Sequence, residues 1–166
     1  MDGGDMVNNK IKGLITIAKQ FNEAKITWNL GASCMLYLRT IVNDFNDIDI
    51  MISENDIDKV KEIMSKYSIV EKREIHPKYK TKAFLEYNIN GVDIDIMAGF
   101  IIISNGKSHY FPLISNENNE IIIIEETQIY LESLETWLKY YKLMGRKDKT
   151  ELIINHMNRI SITQKQ

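Results

Sequence analysis

The sequence has a single cysteine, no long apolar run and no excess of basic residues, and each absence excludes a class of protein. Cys34 alone cannot form an intramolecular disulfide, and its apolar neighbours predict a buried side chain rather than a catalytic thiol. No apolar run approaches the roughly 20 residues that cross a bilayer, and residues 1 to 5 do not resemble a signal peptide. The formal net charge of −2 argues against a dedicated binder of long nucleic acids. We therefore expect a cytoplasmic protein with no membrane segment.

The length and composition indicate one globular domain. The 166 residues are 44% hydrophobic and contain no internal repeat, low-complexity tract or linker. We expect a single domain over residues 1 to 166, with a core at about 9 to 130 and C-terminal helices at about 133 to 160.

Hydrophobic spacing and turn residues predict a mixture of helices and strands. Helical periodicity and capping residues, among them Asn8-Asn9, indicate helices over residues 9 to 24, 32 to 40, 54 to 67, 134 to 144 and 148 to 160. Strands are expected over 26 to 30, 47 to 52, 69 to 75, 83 to 89, 92 to 97, 101 to 104, 108 to 113 and 121 to 124. Asn90-Gly91 and Asn105-Gly106 favour tight hairpin turns. The expected class is α/β (α+β), with a mixed, mainly antiparallel sheet flanked by helices.

Two predicted strands each carry a pair of acidic residues, in Asp47-Ile48-Asp49 and Asp93-Ile94-Asp95. Side chains two residues apart in a strand share a face, so each pair presents two carboxylates together. If the strands are neighbours, carboxylates at about 6 Å repel by about 3 kcal/mol at an effective dielectric constant of about 20. A cation would relieve this repulsion, and Mg²⁺ or Mn²⁺ suits a site with only oxygen ligands.

A second feature, the Gly31-Ala32-Ser33 turn, joins a predicted strand directly to a predicted helix. Such a turn leaves backbone N–H groups and the positive helix end facing outward, which suits a phosphate. Gly31 permits close approach and Ser33 can add a hydroxyl, although a plain helix cap is an equal reading of Ser33.

These segments resemble the minimal members of the DNA polymerase beta-like nucleotidyltransferase superfamily, which includes small antibiotic nucleotidyltransferases and nucleotidyltransferase partners of toxin systems. The matching motifs are Leu30-Gly31-Ala32, Asp47-Ile48-Asp49 and Ile94-Asp95-Ile96, supported by residues 134 to 149. Ala32 stands where the family usually has glycine or serine. The resemblance covers about residues 26 to 155 and implies the nucleotidyltransferase fold.

The resemblance also implies a mechanism. Asp47 and Asp49 would hold Mg²⁺ on the triphosphate of an NTP, most simply ATP. Asp95 would share a metal ion and help to deprotonate an acceptor hydroxyl, which attacks the α-phosphate and displaces pyrophosphate. Asp93 shares a face with Asp95 and is the alternative third acid, but Asp95 lies nearer the strand centre.

Basic residues near the C-terminus could offset the phosphate charge. Lys142, Arg146 and Lys149 would lie on one face of a helix if Gly145 does not interrupt it. Gly31, Ala32, Ser33, Lys142 and Arg146 are therefore the expected nucleotide-binding residues, with a solvated basic face as the alternative for the last two.

Three functional readings follow. The first is a metal-dependent nucleotidyltransferase whose acceptor is a small molecule such as an antibiotic, a protein or a tRNA, with a homodimer or a helical toxin partner completing the site. The second is a catalytically silent protein of the same fold that binds nucleotide or a partner. The third is an α+β domain with no site.

Overall fold

A computed structural model describes residues 3 to 69 and 81 to 164 of the chain, with side chains from residue 8 onward. Within these ranges the helices are α1 (Gly3–Glu23), α2 (Ala32–Leu38), α3 (Ile57–Met64), α4 (Leu134–Met144) and α5 (Lys147–Gln164), with a short 3₁₀ turn at Glu54–Asp56. The strands are β1 (Trp28–Gly31), β2 (Ile48–Ile52), β3 (Ser68–Ile69), β4 (Ala83–Ile89), β5 (Val92–Ala98), β6 (Phe100–Ser104), β7 (Lys107–Phe111), β8 (Glu120–Ile124) and β9 (Thr127–Leu131).

Seven strands form one sheet in the order β3-β4-β5-β2-β1-β9-β8, and β6 and β7 form a separate hairpin. The pairs β2–β5 and β1–β9 are parallel, whereas β1–β2, β3–β4, β4–β5 and β8–β9 are antiparallel. This confirms the predicted mixed, mainly antiparallel sheet flanked by helices. The order also places β5 directly beside β2, so the two acidic strands are neighbours.

One face of the sheet is fully apolar where the acidic strands cross it. Ile48 and Ile50 of β2 and Ile94 and Ile96 of β5 have no solvent exposure. Because side chains alternate along a strand, burial of these isoleucines directs the aspartates between them to the opposite face. The core therefore fixes which way the acidic residues point.

The sequence predicted the two Asn-Gly hairpins but not β9. Asn90-Gly91 and Asn105-Gly106 all have positive φ, as tight two-residue turns require. The β8–β9 turn instead places Glu125 and Glu126 at φ +48° and +63°, a conformation that their residue type does not signal.

The start of the first helix also differs from the prediction. The expected cap at Asn8-Asn9 is wrong, because both residues lie inside α1, which begins at Gly3. The predicted strand over 69 to 75 falls mostly outside the described residues, and only its start is seen, in β3. Among the helices of the described ranges, none is long and apolar enough to cross a bilayer.

Candidate active site

One glycine and three acidic residues form a row that crosses four neighbouring strands. Gly31 of β1 lies opposite Asp49 of β2, Asp49 lies opposite Asp95 of β5, and Asp95 lies opposite Glu86 of β4. Neighbouring strands are about 4.8 Å apart, and directly opposed residues have their side chains on the same face. We call these four residues the acid row.

The charge of Asp49 is poorly stabilised in this row. The pKa of Asp49 is raised to about 8, first by desolvation and then by the negative charges of Asp95 and Asp47. Asp47 and Asp95 are therefore each close enough to act on Asp49. A bound cation would reverse the effect, because it would favour the ionised form of each acid.

Asp93 has a different environment from Asp95. The Nδ2 atom of Asn88 donates a hydrogen bond to Oδ1 of Asp93 at 2.9 Å. Asp95 is instead the register partner of Asp49 and contributes to its raised pKa. This placement favours Asp95 as the acid that acts with Asp47 and Asp49.

The acidic side chains of the described residues do not by themselves form a complete metal site. In the described part of the chain, no three or more His, Cys, Asp and Glu side chains are arranged to hold a metal ion. The donor type nevertheless fits Mg²⁺, since Asp47, Asp49 and Asp95 offer only carboxylate oxygens. Further oxygen ligands would have to come from a bound molecule or from water.

The turn beside the acid row differs from the expected open phosphate site. A Cβ atom on Gly31 would lie 2.3 to 2.4 Å from Cζ2, Cε2 and Nε1 of Trp137, so the indole fills the space next to this glycine. Ala32 has φ +52°, in the left-handed region that disfavours side chains, and Ser33 is half-buried in the first turn of α2.

The expected basic helix face is wrong. Gly145, with φ +75°, ends α4 in the left-handed conformation, and α5 begins at Lys147. Lys142 and Arg146 therefore do not follow one helix, and both side chains are exposed. Nη2 of Arg146 forms an ion pair with Oδ2 of Asp148 at 3.1 Å.

The sequence predicted no role in the site for two residues that each carry a buried polar atom with no hydrogen-bond partner: Oε2 of Glu86 and Nε1 of Trp137. Counting back from the Asn90-Gly91 turn would have placed Glu86 opposite Asp95. No local pattern marks Trp137, because its approach to Gly31 depends on how α4 packs.

Cys34 is buried, as the sequence predicted, and it lies close enough to Asp49 to feel its charge. Burial raises the pKa of its thiol, and the negative charge of Asp49 raises it further. A thiolate is therefore disfavoured, and Cys34 is not equipped to act as a nucleophile.

The fold is similar to those of known transferases. A candidate nucleotidyltransferase from Thermotoga maritima aligns with a TM-score of 0.66 at 19% identity, covering 92% of this chain and 94% of that one. The lincosamide antibiotic adenylyltransferase LnuA, bound to lincomycin, aligns at 0.57 and 18% identity, covering 86% and 94%. ANT(2")-Ia in complex with adenylyl-2"-tobramycin aligns at 0.52 and 11% identity, covering 90% and 88%.

Searches by sequence give no such match. No protein-family model matches the chain, and no curated protein matches it. The likeness therefore rests on three-dimensional structure, and the fold of this chain is that of the nucleotidyltransferases.

Proposed function

We propose that this protein is a metal-dependent nucleotidyltransferase that transfers an NMP from an NTP, most simply ATP, to an acceptor hydroxyl. The observation that carries the proposal is the register pairing of Asp49 with Asp95, with Asp47 acting on the same charge. The shared fold with adenylyltransferases supports it. We also propose a cytoplasmic location, where NTPs are available.

In this proposal Asp47, Asp49 and Asp95 would turn their carboxylates towards one another to hold Mg²⁺ when an NTP binds. The ion would neutralise developing charge on the attacking and leaving oxygens. Asp95 accepts the proton of the acceptor hydroxyl as its oxygen attacks the α-phosphorus. The bond from this phosphorus to the bridging oxygen then breaks, and pyrophosphate leaves. Backbone N–H groups of the Gly31-Ala32-Ser33 turn would bind the phosphates.

The acceptor is the least constrained part of the proposal. LnuA with lincomycin and ANT(2")-Ia with adenylyl-tobramycin make hydroxylated antibiotics the first acceptors to test. Protein and tRNA hydroxyls are the other candidates. A second copy of the chain or a small helical toxin would complete the acceptor site, and light scattering after size-exclusion chromatography would detect either assembly.

The test is Mg²⁺-dependent release of pyrophosphate from each NTP in the presence of lincosamides, aminoglycosides, tRNA or whole-cell extract. We expect release with the unaltered protein and a loss of at least about a hundredfold for Asp49→Asn, because the variant loses a metal ligand. Asp58→Asn is the control, since Asp58 is exposed on α3. The enzyme hypothesis fails if no pyrophosphate appears and Asp49→Asn binds nucleotide as well as the unaltered protein.

A second candidate is a catalytically silent protein of this fold that binds a nucleotide or a partner. The indole of Trp137 favours it, because this ring fills the space beside Gly31. For this candidate we expect binding of Mg²⁺·ATP with no turnover in any acceptor mixture.

A further inference from the structure

The Nε1–H group of Trp137 is a hydrogen-bond donor without an acceptor at the edge of the acid row. Trp137 is 3% exposed, and its Nε1 atom is buried with no hydrogen-bond partner. Leaving a buried donor unsatisfied disfavours a fold, so most such groups are paired. An exception beside a candidate site calls for a physical reason.

The Nε1–H group of Trp137 lies beside Gly31, at one end of the acid row. Nε1 lies 2.4 Å from where a Cβ atom of Gly31 would be, and Gly31 is the register partner of Asp49. The Cβ direction of Gly31 is shared with Asp49, so the indole stands on the acid face. The donor thus lies at the β1 end of the row, next to the Gly31-Ala32-Ser33 turn.

The other tryptophan shows that an unpaired indole is not general in this chain. Trp28 is fully buried in the same strand as Gly31, and its Nε1 donates to Oδ1 of Asn22 at 2.9 Å. An odd number of steps separates Trp28 from Gly31, so their side-chain directions lie on opposite faces of the sheet. The unsatisfied donor is therefore confined to the acid face.

We propose that Trp137 is a phosphate-binding residue, whose Nε1–H donates a hydrogen bond to a non-bridging oxygen of the nucleotide triphosphate. This inference rests on the proposed function, since it requires a nucleotide at the acid row. An anionic oxygen would be a strong acceptor for this unpaired N–H group. A triphosphate supplies such oxygens, and it also brings the cation that the three neighbouring carboxylates need. Because Nε1 is covered without ligand, binding must turn the indole or shift the groups around it.

The chain offers a direct spectroscopic test, since it has only two tryptophans. In ¹⁵N-tryptophan-labelled protein, Trp28→Phe leaves the indole N–H resonance of Trp137 alone, and Trp137→Phe leaves that of Trp28. We expect Mg²⁺·ATP and Mg²⁺·tripolyphosphate to move the Trp137 resonance downfield and to leave the Trp28 resonance unchanged. Tripolyphosphate is included because it has phosphates but no base or ribose.

Calorimetric affinity gives the second readout. Trp137→Phe should weaken binding of both ligands by about tenfold or more, as expected for loss of a hydrogen bond to a charged acceptor. Trp28→Phe should bind as the unaltered protein does. If Trp137→Phe does not fold, the shift of the Trp137 resonance in the unaltered protein and in Trp28→Phe still tests whether the indole N–H binds phosphate.

The outcomes separate this inference from the proposed function. Binding that depends on Asp49 but leaves both the Trp137 resonance and the affinity of Trp137→Phe unchanged overturns the inference alone. A response to Mg²⁺·ATP but not to tripolyphosphate also overturns it, because the indole would then contact the nucleoside. Failure of all four NTPs to bind overturns both.

Discussion

At the scale of single residues, the site combines two unfavourable local features. Ala32 holds a left-handed backbone conformation at the turn, and Asp49 is placed where its charge is poorly stabilised. Local strain and unfavourable charge are common at functional sites, where contacts with the surrounding structure hold such residues in place. Both can be measured through protein stability without knowing the substrate.

Replacement of Ala32 by glycine should stabilise the protein. With φ +52° the Cβ atom is unfavourable, and its removal should raise the free energy of unfolding by about 0.5 to 1 kcal/mol after the greater chain entropy of glycine is subtracted. Urea denaturation measures the change. Ala83→Gly, at a half-buried strand position, is the control and should be destabilised. Equal losses in the two variants would contradict a strained Ala32.

The raised pKa of Asp49 predicts how stability depends on pH. The folded-state pKa is about 8, above the usual value of 3.8, so the folded protein binds one more proton than the unfolded chain between these values. The contribution of protonated Asp49 to the free energy of unfolding is complete below about pH 4. It falls by at most about 1.4 kcal/mol per pH unit as the pH rises towards 8, and it is lost above that pH.

Asp49→Asn should remove this dependence. Urea unfolding at pH 5 and pH 8.5 should show a smaller loss of stability for the variant than for the unaltered protein, both without metal. A difference between the two proteins that does not change with pH would refute the assignment of the proton to Asp49.

At the scale of elements, an aromatic cluster packs α4 against β6. The ring of Trp137 lies near those of Phe100, Tyr140 and Tyr141, with centroid distances of 6.5, 5.1 and 5.2 Å. The same ring covers Gly31. Helix α4 therefore sets how much room remains at the phosphate turn.

Gly31→Ala tests this packing. The added methyl group would lie 2.3 to 2.4 Å from the indole, and we expect it to lower the free energy of unfolding by about 1 to 3 kcal/mol. In a Trp137→Leu background the cost should be smaller, which a double-mutant cycle by urea denaturation measures. Gly13→Ala, with nothing within 4 Å of the new Cβ, should not be destabilised. Additive costs at Gly31 and Trp137 would rule out the contact.

The elements also show how far the sequence determines the site. The alternation of aspartate and isoleucine predicted which face of each acidic strand is polar and which is buried. The Asn90-Gly91 turn predicted the hairpin that contains the second acidic strand. The packing of α4 on Gly31 and the left-handed Glu125-Glu126 turn could not be predicted, because both depend on contacts distant in sequence rather than on local propensity.

At the scale of the whole molecule, strand β8 ends the main sheet with an apolar edge. Ile121 and Ile123 are 44% and 61% exposed, and within the described residues β9 is the strand that pairs with β8. Exposed edge strands of this composition can pair with other chains. The acidic residues around this strand, Glu120, Glu125 and Glu126, should limit such pairing.

Ile123→Lys should lower aggregation on heating, because it places a charge on the exposed edge. Light scattering should fall, while the free energy of unfolding stays within about 0.5 kcal/mol of the original. Glu126→Gln is the control, since it makes the same change in net charge without removing an apolar side chain. Equal scattering from the two variants would show that net charge, not the edge, controls association.

The in-register pairing of β2 with β5 also bears on the fidelity of folding. A slip of one residue in either strand would turn its aspartates into the apolar layer and its isoleucines towards solvent. Burying unpaired carboxylates is strongly unfavourable, so misaligned sheets are disfavoured at the moment they form. The acids of the candidate active site therefore also favour the correct alignment of β2 with β5 over a slipped one.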